Sequence, residues 1–197
     1  MSAIGEKIIK QVQGKQISLR DILEERKEKS IENNQYEVLS STVTGIYSQR
    51  EYFNKDIASA NNSGYKIVRR GDIVLSPQNL WMGNINYNDR FEKGIVSPSY
   101  RVFSIRNMFD ERYVAFLLKT KKALWAYSLV SEQGASIVRR NLNYESFLEI
   151  SLKIPSYDKQ KEIGEVITAV SNKLLLEQSL FHSINRQKRF LLGNLFI

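Results

Sequence analysis

The chain has 197 residues, 42% hydrophobic and 25% charged, a size and balance suited to one globular body with an appendage. No apolar run approaches bilayer length, Met1 to Val12 has no signal-peptide core or cleavage site, and with no cysteine there is no disulfide or thiolate zinc site, which fits a cytoplasmic protein. The net charge is +8, and Gly45 to Asn143 holds 15 Lys and Arg against 8 Asp and Glu, so the excess is concentrated and favours an anionic partner such as nucleic acid.

Residues 1–16 read as an N-terminal tail. Ile17, Leu19, Ile22 and Leu23 then begin a short helix or turn that frays into a charged loop through Asn34. Val38, Leu39 and Val43 leading to Gly45, the run Tyr65 to Val68, Ile73 to Leu75, Ile95-Val96 and Tyr100 to Ile105 are strand candidates punctuated by turn residues, so 38–105 is expected to be β-rich. Asp110 is placed to cap a helix carrying Val114, Leu117 and Leu118 on one face, and a second helix is expected over Ala123 to Leu129. A turn of helix over Leu142 to Leu148 and a strand over Ile150 to Ile154 complete a domain of residues 17–155, with Pro155 as the boundary.

Residues 156–197 then read as one helix. Steps of four and three from Ile163 give Ile163, Ile167, Val170, Leu174, Glu177, Phe181, Ile184, Lys188, Leu191 and Leu195, apolar at eight of ten positions. That ladder is a coiled-coil seam, and at 1.5 Å per residue the rod would be about 57 Å long. The alternative is a helix packed wholly against its own body. The fold class expected is therefore α+β: a β-rich domain with short helices, followed by one long coiled-coil helix.

Catalytic signatures are missing. The chain has neither a Walker loop nor a Gly-x-Gly-x-x-Gly fingerprint, and none of its three prolines has the context of an amino-methyltransferase motif. Asp21, Glu25 and Lys27 match a nuclease spacing, but they sit in a charged helical run that reads as a solvated face. His182, the one histidine, falls beside the seam and reads as a helix-surface residue.

Several blocks occur in a telling order: Arg70-Gly71-Asp72-Ile73-Val74-Leu75-Ser76-Pro77, Met82-Gly83-Asn84-Ile85, Gly94-Ile95-Val96-Ser97-Pro98-Ser99-Tyr100, Gln133-Gly134-Ala135-Ser136 with Arg139-Arg140, and Ile154-Pro155 before Lys159-Gln160-Lys161-Glu162-Ile163. In these the chain resembles the target recognition domain and spacer helix of type I restriction-modification specificity subunits. The resemblance implies a non-catalytic subunit that reads half of a bipartite site in double-stranded DNA. It also implies docking of methyltransferase subunits, which carry S-adenosylmethionine, and through them of restriction subunits; the chain itself needs no cofactor or metal. Family members carry two recognition domains and two spacer helices, whereas this sequence has one of each. It therefore resembles half a subunit, expected to form a homodimer or to pair with a different half. A homodimer would demand inverted half-sites. The competing reading is a stand-alone DNA-binding regulator or decoy.

Reading DNA requires cations for phosphates and amides, hydroxyls or guanidinium groups for base edges, on exposed turns. Three turns qualify: Ser48, Gln49 and Arg50 with Tyr52 and Lys55; Gln78, Asn79 and Trp81 with Asn84; and Gln133 with Ser136, Arg139 and Arg140. Gly71-Asp72 and Ser97-Pro98 are assigned to maintaining the fold. The expected dimer contact comprises Ile163, Ile167, Val170, Leu174, Phe181, Ile184 and Leu191, with Glu177 and Lys188 setting register.

Overall fold

The computed structural model describes residues 3–53, 61–133 and 139–195. The first half forms α1 (Ala3–Gln11), β1 (Lys15–Ser18), α2 (Leu19–Ile22), β2 (Leu23–Glu25), β3 (Leu39–Ser41), β4 (Ile46–Ser48), α3 (Gln49–Phe53), β5 (Lys66–Arg69), β6 (Ile73–Leu75), a 3-10 helix (Pro77–Met82) and β7 (Ile85–Tyr87). The second half adds β8 (Lys93–Val96), β9 (Arg101–Ile105), α4 (Glu111–Leu117), α5 (Lys121–Leu129), β10 (Ser131–Gln133), β11 (Arg140–Leu142), α6 (Tyr144–Glu149), β12 (Ser151–Ile154) and α7 (Tyr157–Leu195). The class is α+β, as expected: a β-rich body followed by one long helix.

The central sheet runs β2-β9-β6-β7 and is antiparallel throughout, with Ile73 opposite Phe103 and Val74 opposite Val102. Alternate side chains leave opposite faces of a strand, and here both faces are covered. Ile73, Leu75 and Phe103 join the main core with Tyr113, Tyr127, Phe147 and the base of α7. Val74 and Val102 join Leu39, Ile46, Val68 and Val96 from the β3–β4 and β5–β8 pairs. A strand buried on both sides has no polar face, which is why Ile73-Val74-Leu75 is uninterrupted.

The turn into β6 bears out the role assigned to Gly71-Asp72. Gly71 has φ +89°, a backbone state open to glycine. The buried Asp72 carboxylate accepts the Arg69 amide at 2.8 Å and both arms of the Arg26 guanidinium at 2.9 Å.

Several segments differ from the sequence reading. Residues 1–16, expected as a tail, contain α1, a buried Val12 and the start of β1, which pairs with β12. Leu23 to Glu25, read as helix or loop, is an edge strand against β9, too short to show a period of its own. Glu25 is held by Arg101 and by the Tyr144 hydroxyl, both at 2.8 Å, while Asp21 accepts from Ser18 Oγ at 2.7 Å, so these two carboxylates serve separate structural contacts. Strand β7 was hidden because its middle residue, Asn86, is buried through 2.7 Å bonds to Ser41 Oγ and the Thr42 carbonyl instead of being apolar.

The long helix is two things in succession. Its first turns are built into the body: Ile163 is 4% exposed and Ile167 1% exposed, both in the main core. The Gln160 side chain accepts from the Asp110 amide and donates to the Pro155 carbonyl, each at 3.0 Å. A Cβ on Gly164 would lie 2.7 Å from Asp110 Oδ1 and 3.2 Å from the Tyr113 amide, so only glycine allows α7 this close to α4. Ile163 and Ile167 therefore drop out of the expected dimer contact; an i, i+3/i+4 ladder records that a face is covered, not what covers it. Val170 is half-buried, and beyond it the seam positions are exposed, Leu174 by 46%, Phe181 by 64%, Ile184 by 52% and Leu191 by 54%. At 1.5 Å per residue α7 is about 58 Å long. Among the described residues no helix is long and apolar enough to cross a membrane.

Candidate nucleic-acid interface

Two of the three expected turns come together. Pro77 begins the 3-10 helix, Leu80 anchors it in the core, and Gly83 ends it with φ +89°. The β10–β11 hairpin, with Gln133 opposite Arg140, packs against that helix. Arg140 lies over the Trp81 ring, 4.2 Å from its centroid. Gln78, Gln133 and Arg139 are exposed around this contact, and Asn79 is half-buried. Ser136 lies outside the described residues.

The electrostatics leave Arg140 unneutralised. The body's other arginines are largely held by carboxylates: Arg26 by Asp72, Arg69 by Glu28, Arg101 by Glu25, Arg20 by Glu145 and Glu149, and Arg106 by Glu24. Arg140 forms no ion pair among the described residues, and its enclosed Nε has no hydrogen-bond partner. Asn79 Oδ1 and Ser131 Oγ, on the same two segments, are likewise enclosed without partners. An uncommitted planar guanidinium stacked on an indole is suited to a paired contact with a guanine edge or a phosphate.

The other expected residues are placed differently. Asn84 is buried, accepting from Ser41 Oγ at 2.7 Å and donating to the Ser41 carbonyl at 2.9 Å, so it holds β3 to the exit of the 3-10 helix and is no base reader. Ser48 is buried at the end of β4. Gln49 turns inward to donate to Ser40 Oγ at 3.1 Å. Ser48 takes an inward position of its strand, and Gln49 and Asn84 turn inward beside strand ends to bond Ser40 and Ser41, so a polar side chain near a turn need not face solvent. Arg50 and Tyr52 are exposed on α3, where the Tyr52 ring lies 5.4 Å from that of Tyr47. Glu51 ties this helix to Arg90 at 2.7 Å. Lys55 falls outside the described residues.

The sequence matches the model of the type I restriction modification DNA specificity domain over residues 12–186. No curated protein sequence matches the chain. Among solved structures, the S subunit of the type I restriction-modification system of M. genitalium superposes with a TM-score of 0.57 at 12% identity, covering 90% of this chain and 44% of that one. The HsdS subunit of Thermoanaerobacter tengcongensis gives 0.57 at 14% identity, covering 90% and 47%. A chain from a structure described as the basis of complex assembly and conformational transition of the type I R-M system gives 0.56 at 12%, covering 89% and 43%. The chain thus spans less than half the length of each, and at these identities the likeness is one of fold. Because the family model spans most of the sequence and the fold agrees with it, the chain belongs to the type I restriction modification DNA specificity domain family.

Proposed function

We propose that this chain is a non-catalytic, cytoplasmic reader of one half of a bipartite site in double-stranded DNA. Residues 17–155 do the reading, and residues 156–197 hold partners. The observation that carries this reading is the convergence of the 3-10 helix with the β10–β11 hairpin around the Trp81–Arg140 stack. Gln78, Asn79, Gln133 and Arg140 then contact base edges, Arg139 a phosphate, and Arg50 and Tyr52 a flanking stretch of backbone.

The projecting part of α7 pairs with a second copy or with another half-subunit through Val170, Leu174, Phe181, Ile184 and Leu191, with Glu177 and Lys188 setting register. Its apolar surface is wider than a two-stranded seam, because Leu176, Leu180, Phe190 and Leu192 are also exposed. That breadth supports a bundle in which methyltransferase subunits add helices and bring restriction subunits with them. S-adenosylmethionine belongs to the methyltransferase.

The test is to co-purify the chain with its cognate methyltransferase subunit and to map methylation on random-sequence DNA. The expected result is a stable complex that methylates adenine in a bipartite motif only when both proteins are present. A chain that binds DNA but ignores the methyltransferase would instead be a stand-alone regulator or decoy.

A further inference from the structure

Between β7, α4 and the base of α7 runs a groove of about 990 Å³, and none of Gln78, Trp81, Gln133, Arg139 or Arg140 lines it. Phe116, Leu124 and Leu175 give it an apolar wall, while Arg70, Arg90, Arg112 and Lys119 face it against the single carboxylate of Asp89. Arg70 and Arg90 are already bridged, to Glu92 at 3.1 Å and Glu51 at 2.7 Å. Arg112 and Lys119 have no carboxylate partner among the described residues. Lys119 is half-buried, and its ammonium donates to the Gly83 carbonyl at 2.8 Å and the Val43 carbonyl at 3.2 Å. An ammonium has three donors, so one is left over. Burial pushes its pKa down to about 8, and no acidic neighbour offsets that shift. A withdrawn cation without a counter-ion is costly until an anion reaches it.

We propose that this groove is the docking site for an acidic, aliphatic segment of a different protein, with one carboxylate pairing with Lys119 and Arg112 and apolar side chains covering Phe116, Leu124 and Leu175. Charge and surface decide among the possible occupants. A second copy would bring its projecting helix, where Lys173, Arg186, Lys188 and Arg189 outweigh Glu177, to an already cationic groove. Duplex DNA satisfies the charge but is met by protruding cations, and it leaves the apolar wall wet. An acidic, aliphatic segment complements both. Leu175 also belongs to the exposed apolar surface of α7, so a protein bound along the helix reaches the groove without a break.

Fluorescence anisotropy of the full chain tests this with three labelled probes: a short peptide alternating leucine with glutamate, its glutamine counterpart, and a non-specific DNA duplex. The glutamate peptide should bind, and the glutamine peptide should bind at least about tenfold more weakly. Lys119→Met and Arg112→Glu should each weaken the glutamate peptide by about tenfold or more and leave the duplex unaffected, while Lys119→Arg should retain binding. Arg112 is exposed, so its variant tests the site even if Lys119→Met fails to fold. Failure of the glutamate peptide to bind, equal binding of the two peptides, or indifference to both charge-altering variants overturns the proposal. Loss of duplex binding in those variants would make the groove a phosphate site instead.

Discussion

The guanidinium of Arg140 lies 4.2 Å from the centroid of the Trp81 ring, joining the hairpin to the 3-10 helix. The stack holds the guanidinium plane in place without neutralising it, so Trp81 and Arg140 should fail differently. Arg140→Ala should relax preference at one base pair by about 1–3 kcal/mol and lower the salt slope of binding by about 1. Trp81→Ala should lose selectivity while keeping the slope, because the charge stays. Titrations over salt and over single-base variants of the site separate the two. An unchanged Arg140→Ala would remove the hairpin from the interface.

Gln78 and Asn84 are close in sequence and opposite in exposure. Gln78→Ala should alter base preference and leave stability near that of the parent. Asn84→Ala breaks a buried network with Ser41 and should cost about 1–3 kcal/mol in urea unfolding, with selectivity unchanged among the molecules that remain folded. A selectivity change in Asn84→Ala without loss of stability would contradict its placement.

The junction of α7 with the body rests on Gln160 and Gly164. Gln160→Ala leaves the Asp110 amide without its 3.0 Å partner and should cost about 1–3 kcal/mol. Gly164→Ala forces α7 away from Asp110 and Tyr113, at a similar cost of about 1–3 kcal/mol from overpacking. Because the junction aims the rod, both variants should also shift the preferred gap between half-sites. This is read by methylation or binding on a spacer series, where identical spacing preferences would mean that the junction only stabilises.

Along the ladder, aspartate should act according to place. Leu174→Asp with Ile184→Asp should give folded monomers, since each large aliphatic buried at a helix contact contributes roughly 1.5–3 kcal/mol to association. Ile167→Asp should unfold the body instead, because Ile167 is 1% exposed in the main core. Light scattering and circular dichroism report both outcomes. A parent chain that stays monomeric at micromolar concentration, with and without DNA, would rule out the homodimer and direct the search to a different half-subunit.

Lys119 predicts a pH dependence. Its pKa is lowered by burial from the ordinary 10.5 to about 8, so between those values the unfolded chain holds a proton that the folded chain has released. Stability rises with pH wherever the unfolded state binds more protons. The parent should therefore gain on Lys119→Met as pH rises through this window, with no difference in slope below 8. Denaturation of both proteins across the window checks the sign. Parallel curves would mean that the ammonium titrates normally.

The β-rich body, the Asp110 cap, the turn at Gly71-Asp72 and the long helix are legible in the sequence, because each depends on local chemistry: runs of β-branched residues, a carboxylate beside free amides, a glycine where the turn needs positive φ, and a ladder of apolar residues at alternating steps of four and three. The three-residue strand β2 and the asparagine-centred β7 are not legible, since β2 pairs with the distant β9 and the buried Asn86 of β7 is held by the distant Ser41 and Thr42. The same division runs through the site. Gln78, Trp81 and Arg140 could be named from residue type and turn context, but their meeting, and the inward turn of Asn84 and Ser48, were decided only when the hairpin closed on the 3-10 helix and β3 closed on β7. A hydrophobic ladder likewise shows that a helix face will be covered; only packing against α4 decided that Ile163 and Ile167 belong to the body while Leu174 and the residues beyond it stay open.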